Sequence, residues 1–182
     1  MIHRFTVVEE LDCPVKVAVA AYLDCEHYLY LHKSLTDRLE VVKVDGRKVT
    51  VKQGWKWLGV PIDHYKTGEF VPPAEFLLYD VKPALSWLPS PVALKTRVRY
   101  DPVPERDACT MTFEVELDLA WFLWPLRFRF QTAIEAMHAQ QNAEDMAMIK
   151  RREKLFGRGN IAHYLADGHF CYHKDEFVKL YG

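Results

Sequence analysis

Two histidines and a carboxylate stand close together in the stretch DCEHYLYLH at residues 24–32. Asp24, His27 and His32 are separated by two and then four residues, among aromatic and leucine side chains. Imidazole is a common protein ligand for iron and zinc. Two histidines and one carboxylate, with coordination positions left open, form a triad that holds non-haem Fe(II). The stretch therefore predicts either a metal-binding edge or the polar end of an ordinary core helix.

The spacing of the two histidines limits how they can meet. On a regular α-helix, residues five apart are separated by about 140° around the axis, so His27 and His32 would point in different directions. A kink, a π-bulge or a helix end between them would bring them together. In the metal-free alternative, Asp24, Glu26 and His27 cap this helix and pack on a sheet.

A further carboxylate comes from a long helix predicted from near Pro125 to just before Gly157. At 100° per residue, one stripe of this helix is mostly apolar and consists of Phe130, Ile134, Met137, His138, Gln141, Asp145, Met148 and Phe156. Asp145 lies in the middle of the stripe, whereas Glu144 lies at its margin. Because an unpaired carboxylate on an apolar stripe is costly, Asp145 is expected to have a partner there.

The elements that position these residues follow from the hydrophobic periodicity. A strand at 4–11 precedes a helix at about 14–23, with Asp12 as the expected N-cap, and a turn or helix at 24–34. Asp45-Gly46 between alternating segments predicts a hairpin. Further strands are expected at 62–71, 74–81, 92–100 and 109–119. This order predicts an α+β fold with a curved antiparallel sheet of about seven strands and helices on one face.

The layout over about residues 2–156 resembles the START-like, or Bet v 1-like (SRPBCC), superfamily. The resemblance implies a helix-grip fold, in which the sheet wraps around the long C-terminal helix and encloses a hydrophobic cavity. We therefore expect residues 1–156 to form one ligand-binding or catalytic-like domain. Residues 157–182 are expected to form a tail that packs on this domain or on a neighbouring subunit.

One branch of that superfamily, the catalytic domain of Rieske-type non-haem iron (ring-hydroxylating) oxygenases, carries a similar motif. DCEHYLYLH matches its Asp-x-x-His-x-x-x-x-His pattern, and QQNAEDMAMIKRREKLF at 140–156 resembles the region that supplies its third ligand. The resemblance implies Fe(II) held by His27, His32 and Asp145. It also implies that Asp24 hydrogen-bonds a ligand histidine and assists electron entry.

The sequence departs from that branch in two respects. Ala20 stands where the family often has Asn, and the Cys-x-His and Cys-x-x-His pairs of a Rieske cluster are missing from this chain. The expected function is thus a stand-alone relative that oxidises an aromatic or lipid-like substrate, with electrons from a separate ferredoxin or reductase.

Two other functions stay open. A metal-free START-like protein would bind or carry a lipid, quinone or polyketide, and a polyketide cyclase-like enzyme would use His138 with Asp145 as an acid/base pair. In either case the expected pocket-lining residues are Gln53, Trp55, Trp57, Phe113, Phe130, Ile134, Met137, Gln141 and Met148.

Composition excludes several partners. The net charge of −1 and the absence of long runs of like charge argue against nucleic acid, and the apolar runs are too short to span a membrane. Four widely spaced cysteines indicate reduced thiols and a cytoplasmic protein. In the tail, His163, His169, Cys171 and His173 match no familiar zinc module. The tail aromatics are instead expected to cover one end of the fold or to join a homo-oligomer.

Overall fold

The computed structural model describes residues 1–24, 27–32, 36, 38–57, 60–81, 91–165 and 173–182, with only the backbone at 28–29, 55–57, 60–62, 81, 163 and 165. The described strands form one antiparallel sheet in the order β1-β7-β6-β5-β4-β3-β2. Their bounds are β1 Ile2–Leu11, β2 Arg38–Asp45, β3 Lys48–Trp57, β4 Val60–Val71, β5 Glu75–Val81, β6 Val92–Pro102 and β7 Cys109–Leu119. The described helices are α1 Val15–Leu23, α2 His27–Leu31, a 3-10 helix Trp121–Leu126, α3 Arg127–Phe156, α4 Ala162–Leu165 and α5 Lys174–Tyr181.

Strand periodicity gives the sheet one apolar face. In β7, every second side chain from Cys109 to Leu119 is buried, whereas Glu114 and Asp118 on the other face are exposed. The predicted hairpin is confirmed: Asp45 pairs with Lys48, and Gly46 adopts the positive φ of 56° that such a turn requires. The predicted antiparallel sheet is confirmed as well.

Helix α3 lies on the concave apolar face of the sheet. Its buried side chains are His138, Asn142 and Ile149, and Ile134, Met146 and Met148 pack against the core. The core also includes α1, most of whose side chains are buried. The long helix was predicted from the sequence to within two residues at each end.

The start of α1 differs from the prediction. Pro14 occupies the N-cap position and makes no side-chain cap hydrogen bond, so the expectation for Asp12 is wrong. Asp12 lies two residues earlier and is exposed, and its Oδ1 accepts a hydrogen bond from Arg158 Nη2 at 3.0 Å. The Asp12 carboxylate, expected to cap α1, therefore binds the guanidinium of Arg158, which follows the end of α3.

The described parts of the tail pack on the sheet and α1. Tyr164 and Phe177 are fully buried in the core, and Tyr181 Oη donates to the Pro73 carbonyl at 2.8 Å. The His163 side chain, His169 and Cys171 lie outside the described residues. None of the described helices is both long and apolar enough to cross a membrane.

Candidate metal centre and ligand cavity

The end of one helix and the start and end of the next position both histidines. Helix α1 ends at Leu23, and the His27 backbone N–H donates to the Asp24 carbonyl at 3.3 Å as α2 begins. Helix α2 ends at Leu31, so His32 is the first residue beyond it. The two imidazole rings lie with their centroids 5.2 Å apart and nearly perpendicular, and both are buried. The helix end supplies the change of direction that a regular helix lacks.

Asp145 of α3 reaches both rings. Its Oδ1 lies 3.2 Å from His32 Nε2 and 3.5 Å from His27 Nε2. One ligand atom from each of the three residues falls within 4.8 Å of the others. Bonds of 2.0–2.2 Å to a first-row metal place neighbouring ligand atoms about 2.8–3.6 Å apart. The two distances to Asp145 meet this requirement, so the donor set fits a divalent metal after a small approach of the two histidines.

Glu144 holds the other nitrogen of His32. His32 Nδ1 lies 2.6 Å from Glu144 Oε2, and Glu144 Oε1 accepts a hydrogen bond from Gln140 Nε2 at 2.9 Å. With a proton on Nδ1 shared with Glu144, the lone pair of neutral His32 is on Nε2, facing Asp145. Metal-binding histidines usually have such an outer carboxylate, which fixes the tautomer and raises the basicity of the ligand.

Without a metal, the same geometry requires a proton between His32 and Asp145, because a lone pair and a carboxylate oxygen repel. Burial alone would lower the pKa of His32, but Asp145 and Glu144 outweigh it and raise this pKa. The pKa of His27 is lowered, mainly by burial, although Asp145 and Asp24 oppose the shift. His27 is therefore the neutral imidazole of the pair, and His32 is the one that takes a proton or a cation.

Asp24 is buried beside this centre. Its Oδ2 lies 3.5 Å from Arg152 Nη2, and the Arg152 guanidinium stacks over the ring of Tyr164. Its negative charge opposes the fall in the pKa of His27, which places it within electrostatic reach of that ring. Its predicted contact with a ligand histidine and its part in electron entry stay predictions.

A cavity of about 270 Å³ lies between the sheet and α3, and His27 and Asp145 form part of its wall. A second cavity of about 130 Å³ lies beside it, nearer the β2 edge of the sheet. The two share Tyr22, Gln53, Lys66 and Leu78. The candidate metal centre thus adjoins a space large enough for a small molecule.

The predicted pocket residues divide into three groups. Gln53, Phe113, Met137, His138 and Gln141 line the larger cavity. Phe130, Ile134 and Met148 lie on α3 outside the described lining, and Ile134 and Met148 pack against the core instead. Trp55 and Trp57 belong to β3, but their side chains lie outside the described part of the structure, as does Glu26.

His138 is anchored in the cavity wall. Its ring stacks on Phe113 with centroids 4.0 Å apart, and its Nε2 lies 3.3 Å from Asn142 Nδ2, which also contacts Glu9 Oε2 at 2.5 Å. Burial lowers the pKa of His138, so the ring is neutral at pH 7. The structure places His138 and Asp145 in the same wall, which is consistent with either an acid/base or a ligand-orienting role.

Sequence reasoning missed a polar group on the opposite wall. His64 and Lys66 of β4 and Asp80 of β5 also line the larger cavity. The alternation of β4 carried a signal, since 64 and 66 have the same parity as buried Phe70. Sequence reasoning also placed Glu144 only at the margin of the α3 stripe. In the structure, the Glu144 carboxylate reaches Nδ1 of His32.

Comparisons with known proteins found similarity of fold. No protein-family profile and no curated protein sequence matches the chain. The aromatase/cyclase Zhui from Streptomyces sp. R1128 superposes with a TM-score of 0.66 at 10% identity, over 84% of this chain and 96% of that one. Norcoclaurine synthase from Thalictrum flavum, in complex with dopamine and hydroxybenzaldehyde, gives 0.64 at 12% identity, over 83% and 88%. Ara h 8.0201 gives 0.62 at 8% identity, over 81% and 99%.

None of these three is a Rieske oxygenase, so that relationship stays a prediction from the motif. Identities near 10% show the fold and nothing finer. Together with the seven described antiparallel strands and the long C-terminal helix, they show that the chain has the helix-grip, Bet v 1-like fold.

Proposed function

We propose that the chain binds a hydrophobic small molecule in the cavity between the sheet and α3. The cavity itself supports this proposal: it measures about 270 Å³, and most of its lining surface is apolar although polar side chains such as Gln53, Lys66 and Gln141 also reach it. A dry cavity of about 150 Å³ is enough to bind benzene, so this space accepts a larger molecule, of bicyclic aromatic size. Ligand pockets of proteins combine apolar walls with polar groups that orient the ligand.

The test combines native mass spectrometry with a filled-cavity variant. Purified protein should carry a co-purified organic ligand or bind 2-naphthamide. Met137→Trp fills the cavity wall and should weaken 2-naphthamide binding at least tenfold. Ala136→Trp, on the exposed side of the same helix, should leave the affinity unchanged. Equal affinities for the two variants, or no ligand and no binding, would refute the proposal.

The second candidate function is metal-dependent and has its own observation: His27, His32 and Asp145 present ligand atoms around one point, with Glu144 holding the outer nitrogen of His32. We propose that these three residues hold a divalent first-row metal, with Fe(II) first among the candidates. Anaerobic reconstitution with Fe(II) should give one ion per chain by elemental analysis. His27→Ala, His32→Ala or Asp145→Ala should lose it, whereas His3→Ala, which removes the histidine that hydrogen-bonds Gln131, should retain it.

Bound Fe(II) would supply the activation of O2, with electrons from a separate donor. The chain's own contribution is the ligand triad, the orientation of His32 by Glu144, and a mostly apolar space that holds an aromatic or lipid-like substrate beside Asp145. This oxygenase function rests on the motif and the donor set. A polyketide cyclase-like reaction instead rests on neutral His138 in the cavity wall and on the aromatase/cyclase fold neighbour.

A further inference from the structure

The wall of the cavity opposite α3 carries a lysine on the concave face of the sheet. Lys66 of β4 is directly opposite Val51 of β3 and Asp80 of β5 in the sheet register. Its neighbours of the same parity are His64, Gly68 and buried Phe70. Lys66 therefore faces inward, which is unusual, because lysine on a strand normally faces solvent.

Asp80 does not neutralise this lysine by contact. Its Oδ1 lies 2.8 Å from His64 Nε2, and its Oδ2 accepts the Leu94 backbone N–H at 2.9 Å. Both carboxylate oxygens are thus engaged, and the side chain is fixed. Among the residues that the structure describes, none forms a hydrogen bond or an ion pair with the Lys66 ammonium. The Lys66 amino group is therefore available to a ligand in the cavity.

Burial lowers the pKa of Lys66, and the nearby Asp80 charge opposes the shift only in part. Other titratable groups around the same cavity are Tyr22 of α1, His27 of α2, His64 of β4, Tyr79 of β5, Tyr100 of β6, and His138 and Asp145 of α3. Removing an ammonium from water costs free energy, and an anion in contact recovers it. A ligand with an acidic oxygen would supply the anion that Lys66 needs.

We propose that Lys66 is the anion-binding group of the cavity, and that the hydrophobic ligand carries a carboxylate or another ionised oxygen, such as a phenolate or enolate. This inference rests on the proposed binding function. Lys66 lines both cavities, so a ligand anchored there by its acidic oxygen extends apolar parts along α3 in one direction and toward Val49 and Phe70 in the other. Charge-assisted hydrogen bonds of this kind are roughly twice as strong as neutral ones.

The experiment compares 2-naphthoate with its neutral isostere 2-naphthamide by calorimetry at pH 7. The protein is first treated with EDTA, so that a carboxylate held by a metal at His27, His32 and Asp145 makes no contribution. Wild type should bind naphthoate at least tenfold more tightly than naphthamide. Lys66→Met should abolish this preference, so that naphthoate and naphthamide bind with similar affinity. Lys66→Arg should retain the preference, and so should Lys95→Met, which makes the same change at an exposed position of β6.

Asp80→Asn gives an independent readout, because it removes a negative charge beside Lys66 and keeps an oxygen for the Leu94 N–H. It should increase the preference for naphthoate over naphthamide several-fold. A carboxylate preference that persists in Lys66→Met, or is missing from the wild type while naphthamide binds, overturns this inference alone. If neither probe binds to the wild type, the proposed binding function is refuted and this inference is refuted with it.

Discussion

Replacing Glu144 with Gln tests whether the candidate metal centre is built as a ligand set with an outer carboxylate. Glu144 Oε2 lies 2.6 Å from His32 Nδ1, and the Glu144 side chain is 28% exposed. Gln keeps an oxygen that accepts the hydrogen bond but loses the charge that makes the ring a stronger donor to a metal. Loss of such an outer partner typically weakens metal affinity about 10–100-fold, which corresponds to roughly 1.4–2.7 kcal/mol.

A closely matched control lies on the same helix. Glu135 Oε1 accepts a hydrogen bond from Gln131 Nε2 at 2.8 Å, four residues earlier, in the same way that Glu144 accepts one from Gln140. Glu135→Gln therefore changes the same group in the same local setting, away from the two histidines. We expect this variant to keep the wild-type affinity for the metal.

The assay is competition for Fe(II), or for Co(II) as an air-stable substitute, against a chromophoric chelator under anaerobic conditions. Thermal unfolding of both metal-free variants serves to check that the fold is unchanged. The reasoning fails if Glu144→Gln binds the metal as tightly as Glu135→Gln does. It also fails if the wild type takes up no metal while His27, His32 and Asp145 are intact.

Three further outcomes concern stability of the metal-free protein, measured by urea denaturation. Because the pKa of His32 is raised in the folded state, its protonated form contributes fully to stability below the unfolded pKa of 6.5, and this contribution is lost as pH rises through the folded pKa. His32→Gln should therefore destabilise the protein most near pH 5.5 and least above pH 8. Arg152→Met should cost about 3–5 kcal/mol, because it removes the guanidinium that lies 3.5 Å from the buried Asp24 carboxylate, and adding Asp24→Asn should recover part of this loss. Phe177→Ala should cost about 3–5 kcal/mol if the tail is part of the core, whereas a peripheral tail would lose under 1 kcal/mol.

The elements with regular periodicity were predictable from the sequence. Strand β7 repeats its apolar positions over its whole length, so local pattern and tertiary burial agree there. Helix α3 was found at the predicted place, but its burial follows the predicted stripe only in part: His138 is buried as expected, whereas Phe156 of the stripe is exposed, and Asn142 and Ile149 from outside the stripe are buried. The N-cap of α1 was not predictable, because the Asp12 carboxylate binds Arg158, whose position depends on where α3 ends. Local capping preferences cannot anticipate a cation that arrives from 146 residues away.

The part of the candidate site that depends on the face of a single helix was predictable from the sequence. Asp145 was found from the angular position of a single residue on α3, and the structure places it against both histidines. Glu144 and Lys66 needed different information. The role of Glu144 depends on how far its side chain reaches around the His32 ring, and that of Lys66 depends on which face of β4 turns inward at the middle of the sheet.

The charge balance of the buried centre gives a reason to prefer a divalent cation over a proton. Asp24, Glu144 and Asp145 supply three carboxylates around the two imidazoles, and Arg152 supplies one guanidinium. With both histidines neutral, these described groups carry a net charge of −2 (three carboxylates and one guanidinium) at a partly buried site, which is costly. A proton on His32 compensates one of these two charges. A divalent metal at the point shared by His27, His32 and Asp145 would compensate both charges and leave the Glu144 hydrogen bond in place. Metal binding should therefore displace the proton from His32 once the free metal concentration exceeds the dissociation constant of the metal.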